Sequence, residues 1–208
     1  MKKIVRVTLG FGIFLLAGCG GTPEEKAKEI IEKTRSAEEQ RVHTQISMSK
    51  LESKEKGIFE ELMRIDADST DQLKEAAKKG RENVTERQEK MKDEQQAMDQ
   101  AAKEFAELKE VVPDIEDSAL KKRLNQMQKH MAERNKAHKE ITQLYAETTE
   151  INLALYDALQ QKDTKFKQVK SYIAKLNEKN KDLQAAHKTF NKLTKEFNEQ
   201  KKVLYVEK

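Results

Sequence analysis

What the chain has little of is informative. Among its 208 residues there is one Cys, no Trp, two Pro and seven Gly, and only 5% are aromatic. A single Cys excludes a disulfide framework, a four-Cys zinc site and an iron–sulfur cluster. So few Gly and Pro argue against an all-β fold, which needs many tight turns. Its longest apolar run, Val7 to Ala17, falls well short of the ~20 residues of a spanning helix. Surplus charge of one sign is also small, at +4 formally. What the chain does have is charge: 38% of residues are Asp, Glu, Lys or Arg. High charge with so few loop formers points to long solvated helices.

The first residues read as a targeting segment. Lys2, Lys3 and Arg6 form a positive head, and the apolar run ends in small residues. Residues 1–18 are therefore expected to be a lipoprotein signal peptide. Leu16-Ala17-Gly18-Cys19 looks like the bacterial lipobox, in which the Cys is acylated and becomes the new N-terminus. Two acyl chains, at about 0.8 kcal/mol per buried CH₂, make a stable anchor. Cys19 is thus the expected lipid-attachment residue, residues 19–21 the tether, and the cell membrane's extracytoplasmic face the expected location. The high Lys-to-Arg ratio suggests an AT-rich, Gram-positive host. Without Lys2, Lys3 and Arg6 the remaining chain is nearly neutral, so bulk charge gives no reason to expect nucleic acid as a partner.

Residues 22–208 read as one helical domain with four helices, about 22–66, 69–112, 114–161 and 163–205. Thr22-Pro23-Glu24-Glu25 carries a capping box with Pro at the first helical position. A weak heptad series follows: Ile30, Ala37, Thr44, Leu51, Ile58, Ile65. Gly57 lies inside it and could bend the helix. Ser69 and Gln72 form a second capping box. The next series is Ala77, Val84, Met91, Met98, Phe105, Val112, stopped by Pro113. Asp114 or Asp117 can cap the third helix, whose 3-4 pattern runs from Leu120 to Leu159 through Arg134, His138, Tyr145 and Asn152. Asp163 is the expected cap of the fourth. That helix has the clearest pattern: Phe166, Val169, Ile173, Leu176, Asn180, Leu183, His187, Phe190, Thr194, Phe197, Leu204. Each helix would be roughly 60–70 Å long. The expected fold is all-α, an elongated up-and-down four-helix bundle with coiled-coil-like packing. A coiled coil that dimerises to complete its core is the competing architecture.

Catalytic patterns are missing. There is no phosphate-binding glycine loop, no nucleophile elbow and no H-E-x-x-H. Residues three before His43, His130, His138 and His187 are Gln, Met, Asn and Gln, so the Glu-x-x-His ligands of di-iron bundles are absent. No catalytic residue, metal or cofactor is expected. A hairpin turning between residues 162 and 163 sets His138 opposite His187 at core positions. That pair reads either as a two-His metal or pH-sensitive site, or as buried polar residues fixing register. Asn180 opposite Tyr145 reads as the same register device.

Charge is uneven along the chain. The first and second helices are weakly acidic, the third neutral, and residues 163–208 carry 12 basic against 6 acidic residues. Lys165, Lys167, Lys170, Lys175, Lys179, Lys181, Lys188, Lys192 and Lys195 lie mostly off the apolar seam. Such a stripe could contact an anionic polymer, which at a Gram-positive surface means teichoic acid. The competing reading, and the favoured one, is a solvated face paired with acidic neighbouring helices. The anchor, the turn at Pro113 and the C-terminus share one end of the bundle; the turns at 66–69 and 161–164 share the other.

With the lipobox, the acidic helix start Thr22-Pro23-Glu24-Glu25 and the charged helical body in view, the sequence resembles the YkyA family of cell-wall-binding lipoproteins of Firmicutes. The resemblance implies a helical extracytoplasmic domain associated with the cell wall and carries no catalytic or ligand residue over to this chain; peptidoglycan or teichoic acid is the expected wall partner. The alternative function is a lipid-anchored interaction module for another envelope protein.

Overall fold

In the computed structural model the described residues are 21–66, 69–161 and 165–206, with side chains described to residue 202. Helix α1 spans Pro23–Leu62. Its start is fixed locally. The Glu25 amide donates to Thr22 Oγ1 at 3.2 Å, and the Thr22 amide donates to Glu25 Oε2 at 2.9 Å. Pro23 occupies the first turn, where its missing N–H costs nothing. Gly57 does not interrupt the helix; it is exposed, and nothing lies within 4 Å of where a Cβ would sit.

Helix α2 spans Thr70–Ala106. Ser69 precedes it but its side chain makes no capping bond, so the expected second capping box does not form. With ψ at 61° the serine departs from the extended backbone typical of a capping residue. Only its backbone carbonyl takes part, accepting from the Leu73 amide at 3.1 Å. At its far end α2 stops before Pro113. The Glu107 and Glu110 amides make tighter bonds, to the carbonyls of Glu104 and Glu107. A short helix α3, Leu108–Val111, and a 3₁₀ turn, Val112–Asp114, follow. This stepwise ending buries Leu108, Val112 and Ile115. Asp117 then caps α4, Ser118–Leu159, accepting from the Ala119 and Leu120 amides at 2.8 and 3.1 Å. Helix α5 spans Phe166–Val206. Asp163, the residue expected to cap it, lies outside the described residues.

The fold is an all-α up-and-down bundle of four long helices. Close backbone neighbours are α1 with α2, α2 with α4, and α4 with α5. The seam between α1 and α5 is wider and is bridged by side chains. The core changes along the rod. At the end near Thr22 a large cluster joins Ile30 and Ile31 of α1, Phe105 of α2, the α3 and 3₁₀ residues, Leu124 and Met127 of α4, and Phe197 of α5. Phe105 and Phe197 meet edge to face, centroids 5.4 Å apart. In the middle, Met98, Ile141, Ala186 and Phe190 pack together beside Met48, Met91 and Tyr145. At the far end Ile58, Leu62, Ala76, Ala77, Val84 and Tyr156 form a cluster from three helices only; no described α5 residue belongs to it.

No described helix is long and apolar enough to cross a membrane. The candidate signal segment and Cys19 lie outside the described residues.

Candidate functional site

The interior carries two charged layers. In the middle, Glu94 on α2 is buried and accepts from Gln45 Nε2 on α1 at 3.1 Å. Its Oε1 also lies 3.2 Å from His138 Nε2 on α4 and 3.7 Å from Arg41 Nη1 on α1. One helical turn away, the guanidinium of Arg134 is buried; Nη1 donates to Glu38 Oε1 at 2.7 Å and Nε to Thr194 Oγ1 at 3.2 Å. Arg41 and Arg134 both stand over the Phe190 ring, at 5.3 and 5.7 Å. Burial holds the Arg41 guanidinium below its ordinary pKa. All four long helices contribute here, and these long side chains fill the wide α1–α5 seam.

The second layer lies nearer the far end and uses three helices. Arg87 on α2 donates to Asn83 Oδ1, to Tyr145 OH at 3.3 Å and to Glu55 Oε1 at 2.5 Å. Tyr156 OH reaches Glu55 at 3.4 Å, and Asn83 donates to the Leu51 carbonyl at 3.0 Å. Burial pushes the Glu55 carboxyl and both tyrosine phenols up from their ordinary pKa values. Each buried guanidinium faces a carboxylate, while Arg41 Nε and His138 Nδ1 are buried without a hydrogen-bond partner. The bonds of both layers cross between helices and so oppose the sliding of one helix face past another.

His138 therefore has a carboxylate neighbour. His187 is half-buried, and burial lowers its pKa while Glu94 and Glu52 oppose the shift and His138 adds to it. Among the described residues no group of three or more His, Cys, Asp or Glu is arranged to hold a metal. Asn180 does not face Tyr145: it is exposed, and the Tyr145 hydroxyl instead pairs with Arg87, Met48 and Glu52. The buried polar bonds between helices run instead through Arg87, Glu55, Glu94 and His138.

The α5 lysines lie on the surface. Lys165, Lys167, Lys170, Lys175, Lys181, Lys188, Lys192 and Lys195 are exposed. Lys179 is half-buried and pairs with Glu147 on α4 at 2.5 Å; the bond raises the lysine pKa and lowers that of the glutamate. Lys192 and Lys195 reach Glu196 and Glu199 on their own helix at 3.9 Å. Lys170 lies 4.7 Å over the Phe166 ring. Among the described residues, Lys179 is the one lysine of the nine with an ion pair to another helix. Pairing with acidic neighbouring helices thus accounts for one position of the nine.

At the far end a cleft of about 330 Å³ opens between α1, α2, α4 and α5. Its lining includes Phe59, Met63, Leu73, Leu159, Phe166 and Ile173. Met63 is 70% and Phe166 72% exposed. The sequence pattern expects Phe166 in the core; here it stands in solvent, because α1 does not close over this part of α5.

Comparison with known proteins adds the following. The family model YkyA, described as "Putative cell-wall binding lipoprotein", matches residues 22–207. The "Uncharacterized lipoprotein YkyA" of Bacillus subtilis (strain 168) is 26% identical over 192 residues, covering 92% of this chain and 86% of that protein. A crystal structure of a conserved protein of unknown function from Staphylococcus aureus superposes with a TM-score of 0.75 over 91% of this chain and 98% of that one, at 17% identity. At that identity the likeness speaks to the fold alone.

Proposed function

Because the chain belongs to the YkyA lipoprotein family, we propose that it is a non-enzymatic rod, lipid-anchored on the outer face of the cell membrane, that holds anionic cell-wall polymer. Residues 1–18 are removed as a signal peptide and Cys19 takes the acyl chains. The tether is two glycines, so the rod begins close to the bilayer and stands about 60 Å into the wall space. Teichoic acid is the partner. The observation that supports this reading is the run of eight exposed lysines, Lys165 just before α5 and seven on it, largely free of partners on other helices. A row of solvated ammonium groups attracts polyanions over a Debye length of about 8–10 Å.

Co-sedimentation of the detergent-solubilised full-length protein with purified wall tests it. Binding is expected to weaken steeply with salt, to be lost when teichoic acid is stripped from the wall, and to drop when the exposed α5 lysines become Gln. Equal binding by the Lys→Gln variant overturns the reading. Cys19→Ala is expected to release the protein from the membrane without changing wall binding.

A further inference from the structure

Four large apolar side chains are exposed among the described residues: Val42, Ile46, Met63 and Phe166. Three of them lie on one face of α1. Val42, Ile46, Ser49 and Ser53 step by four and three residues. The same steps lead through Lys56 and Glu60 to Met63, and all seven are exposed. This is a second seam on α1, roughly opposite the buried one of Thr44, Met48, Leu51, Ile58 and Leu62. A 3-4 seam is a helix-pairing surface, and its serines let another helix come close.

The tip adds charge in a fixed order. Glu60, Glu61, Asp66, Asp71 and Glu75 line a groove on α1 and α2, with Arg64 as its one base. Ile65 belongs both to that groove and to the apolar cleft, so the two adjoin. Phe166 borders the cleft from α5, with the Lys170 ammonium over its ring. The order across the tip is therefore acid, apolar, lysine.

We propose that this side of the rod pairs two copies of the chain in parallel, α1 against α1. A two-fold axis along the rod lays the acidic groove of each copy against the α5 lysines of the other, across a shared apolar centre. An axis across the rod would set acid against acid and lysine against lysine. On the parallel axis each residue of the outer seam meets its own counterpart, so Val42, Ile46 and Met63 lose water together. Lys56 and Glu60, 4.0 Å apart within one helix, can exchange partners between the copies. A foreign acidic helix would meet the acidic groove and a basic one the lysines; a second copy offers both signs in the matching order. The lipid anchor of the proposed function adds to this, since rods standing in one membrane already run parallel at raised effective concentration. The pairing geometry needs neither the anchor nor the wall.

The test traps the pair by disulfide. Ile46→Cys and Ser53→Cys are placed singly in the full-length lipoprotein and oxidised in membranes freed of wall. Both positions are exposed, and Cys19 is the one native thiol, so the parent chain gives the background. Each variant is expected to give a covalent species of twice the chain's mass. The parent and Ala146→Cys, exposed on α4, should not. Lys167→Glu with Lys170→Glu should lower the Ser53→Cys yield about tenfold, and adding Asp71→Lys and Glu75→Lys should restore it. Trapping at neither position, or equal trapping at Ala146, overturns the proposal. So does trapping at only one of the two α1 positions, the mark of an antiparallel pair, or an adduct to a different protein. A charge exchange that fails to restore the yield overturns it as well. Because no wall is present, failure here leaves the wall reading standing, and loss of wall binding in the Lys→Gln series leaves this one standing.

Discussion

The two ends of the rod are built differently. Near Thr22, α3 and the 3₁₀ turn fold under the helices and deliver Leu108, Val112 and Ile115 to the core, while α5 contributes Phe197. At the opposite end three helices pack on one another and α5 lies beside them with Phe166 in water. Between the two, the seam between α1 and α5 is held by Arg41, Arg134 and Glu38 rather than by apolar packing. The base is closed by apolar packing from all four long helices, whereas the tip leaves α5 partly uncovered.

Substitution of one phenylalanine at each end gives the widest contrast. Phe105 is 1% exposed, and Phe105→Ala is expected to cost about 3–5 kcal/mol of unfolding free energy. Phe166→Ala should stay within about 0.5 kcal/mol of the parent. Urea unfolding measures both; similar costs would mean that the tip is as closed as the base.

The middle layer comes next. Glu38→Leu removes the carboxylate from a guanidinium that is 1% exposed. Leaving a buried charge unpaired is expected to cost about 3 kcal/mol. Glu38→Leu with Arg134→Met removes both charges and should recover most of that loss. If the double variant is no better than the single one, the pair is not what bridges the α1–α5 seam.

Two glycines sharpen the comparison at a smaller scale. A Cβ on Gly80 would clash with one edge of the Tyr156 ring. Gly80→Ala should therefore cost about 1–3 kcal/mol by overpacking, although alanine is the better helix former. Gly57 has open space around it, and Gly57→Ala should stabilise by about 0.5–1 kcal/mol. Opposite signs in thermal unfolding are the expected result.

Periodicity makes the helices legible, and the order of the four long elements follows from it. The first α2 series, Ala77 through Val112, is buried throughout. Its companion series is concealed by chemistry. Gly80, Arg87, Glu94, Ala101 and Leu108 also recur every seven residues and are buried, but two are charged and one is glycine. Heptad spacing applied to charged residues would have found them. The α5 pattern fails in the reverse direction. It is the most regular in the chain and the least buried, because periodicity marks a face made for a helix without saying which helix covers it. The weaker α1 series buries more, since a neighbour on α2 runs along its whole length. The stepwise end of α2 is not legible either: Pro113 says where a helix cannot continue, while the core decides where it stops. Ser69 shows the same limit, as a capping sequence forms a cap only if the backbone turn presents its hydroxyl.

The smallest expected effect is a pH slope at the edge of the middle layer. Burial lowers the His187 pKa from its ordinary 6.5, with Glu94 and Glu52 opposing and His138 adding to the shift. A histidine depressed in the folded state takes up a proton more readily when the chain unfolds. Stability is then greatest above about pH 6.5 and declines as the pH falls through that value toward the folded-state pKa. The urea midpoint should drop between about pH 7.5 and about pH 5.5, and His187→Gln should flatten that drop. Glu55 acts with the opposite sign. Its carboxyl is raised by burial, so the folded state holds that proton more tightly and gains stability as the pH falls from above the folded pKa through the carboxylate range. The two slopes occupy different windows. Histidine dominates near neutrality in the layer that α5 completes, and the carboxylate acts lower down in the layer that lacks α5. A His187→Gln variant with the parent's slope would show that α5 does not bury this side chain, and that the open tip extends into the middle of the rod.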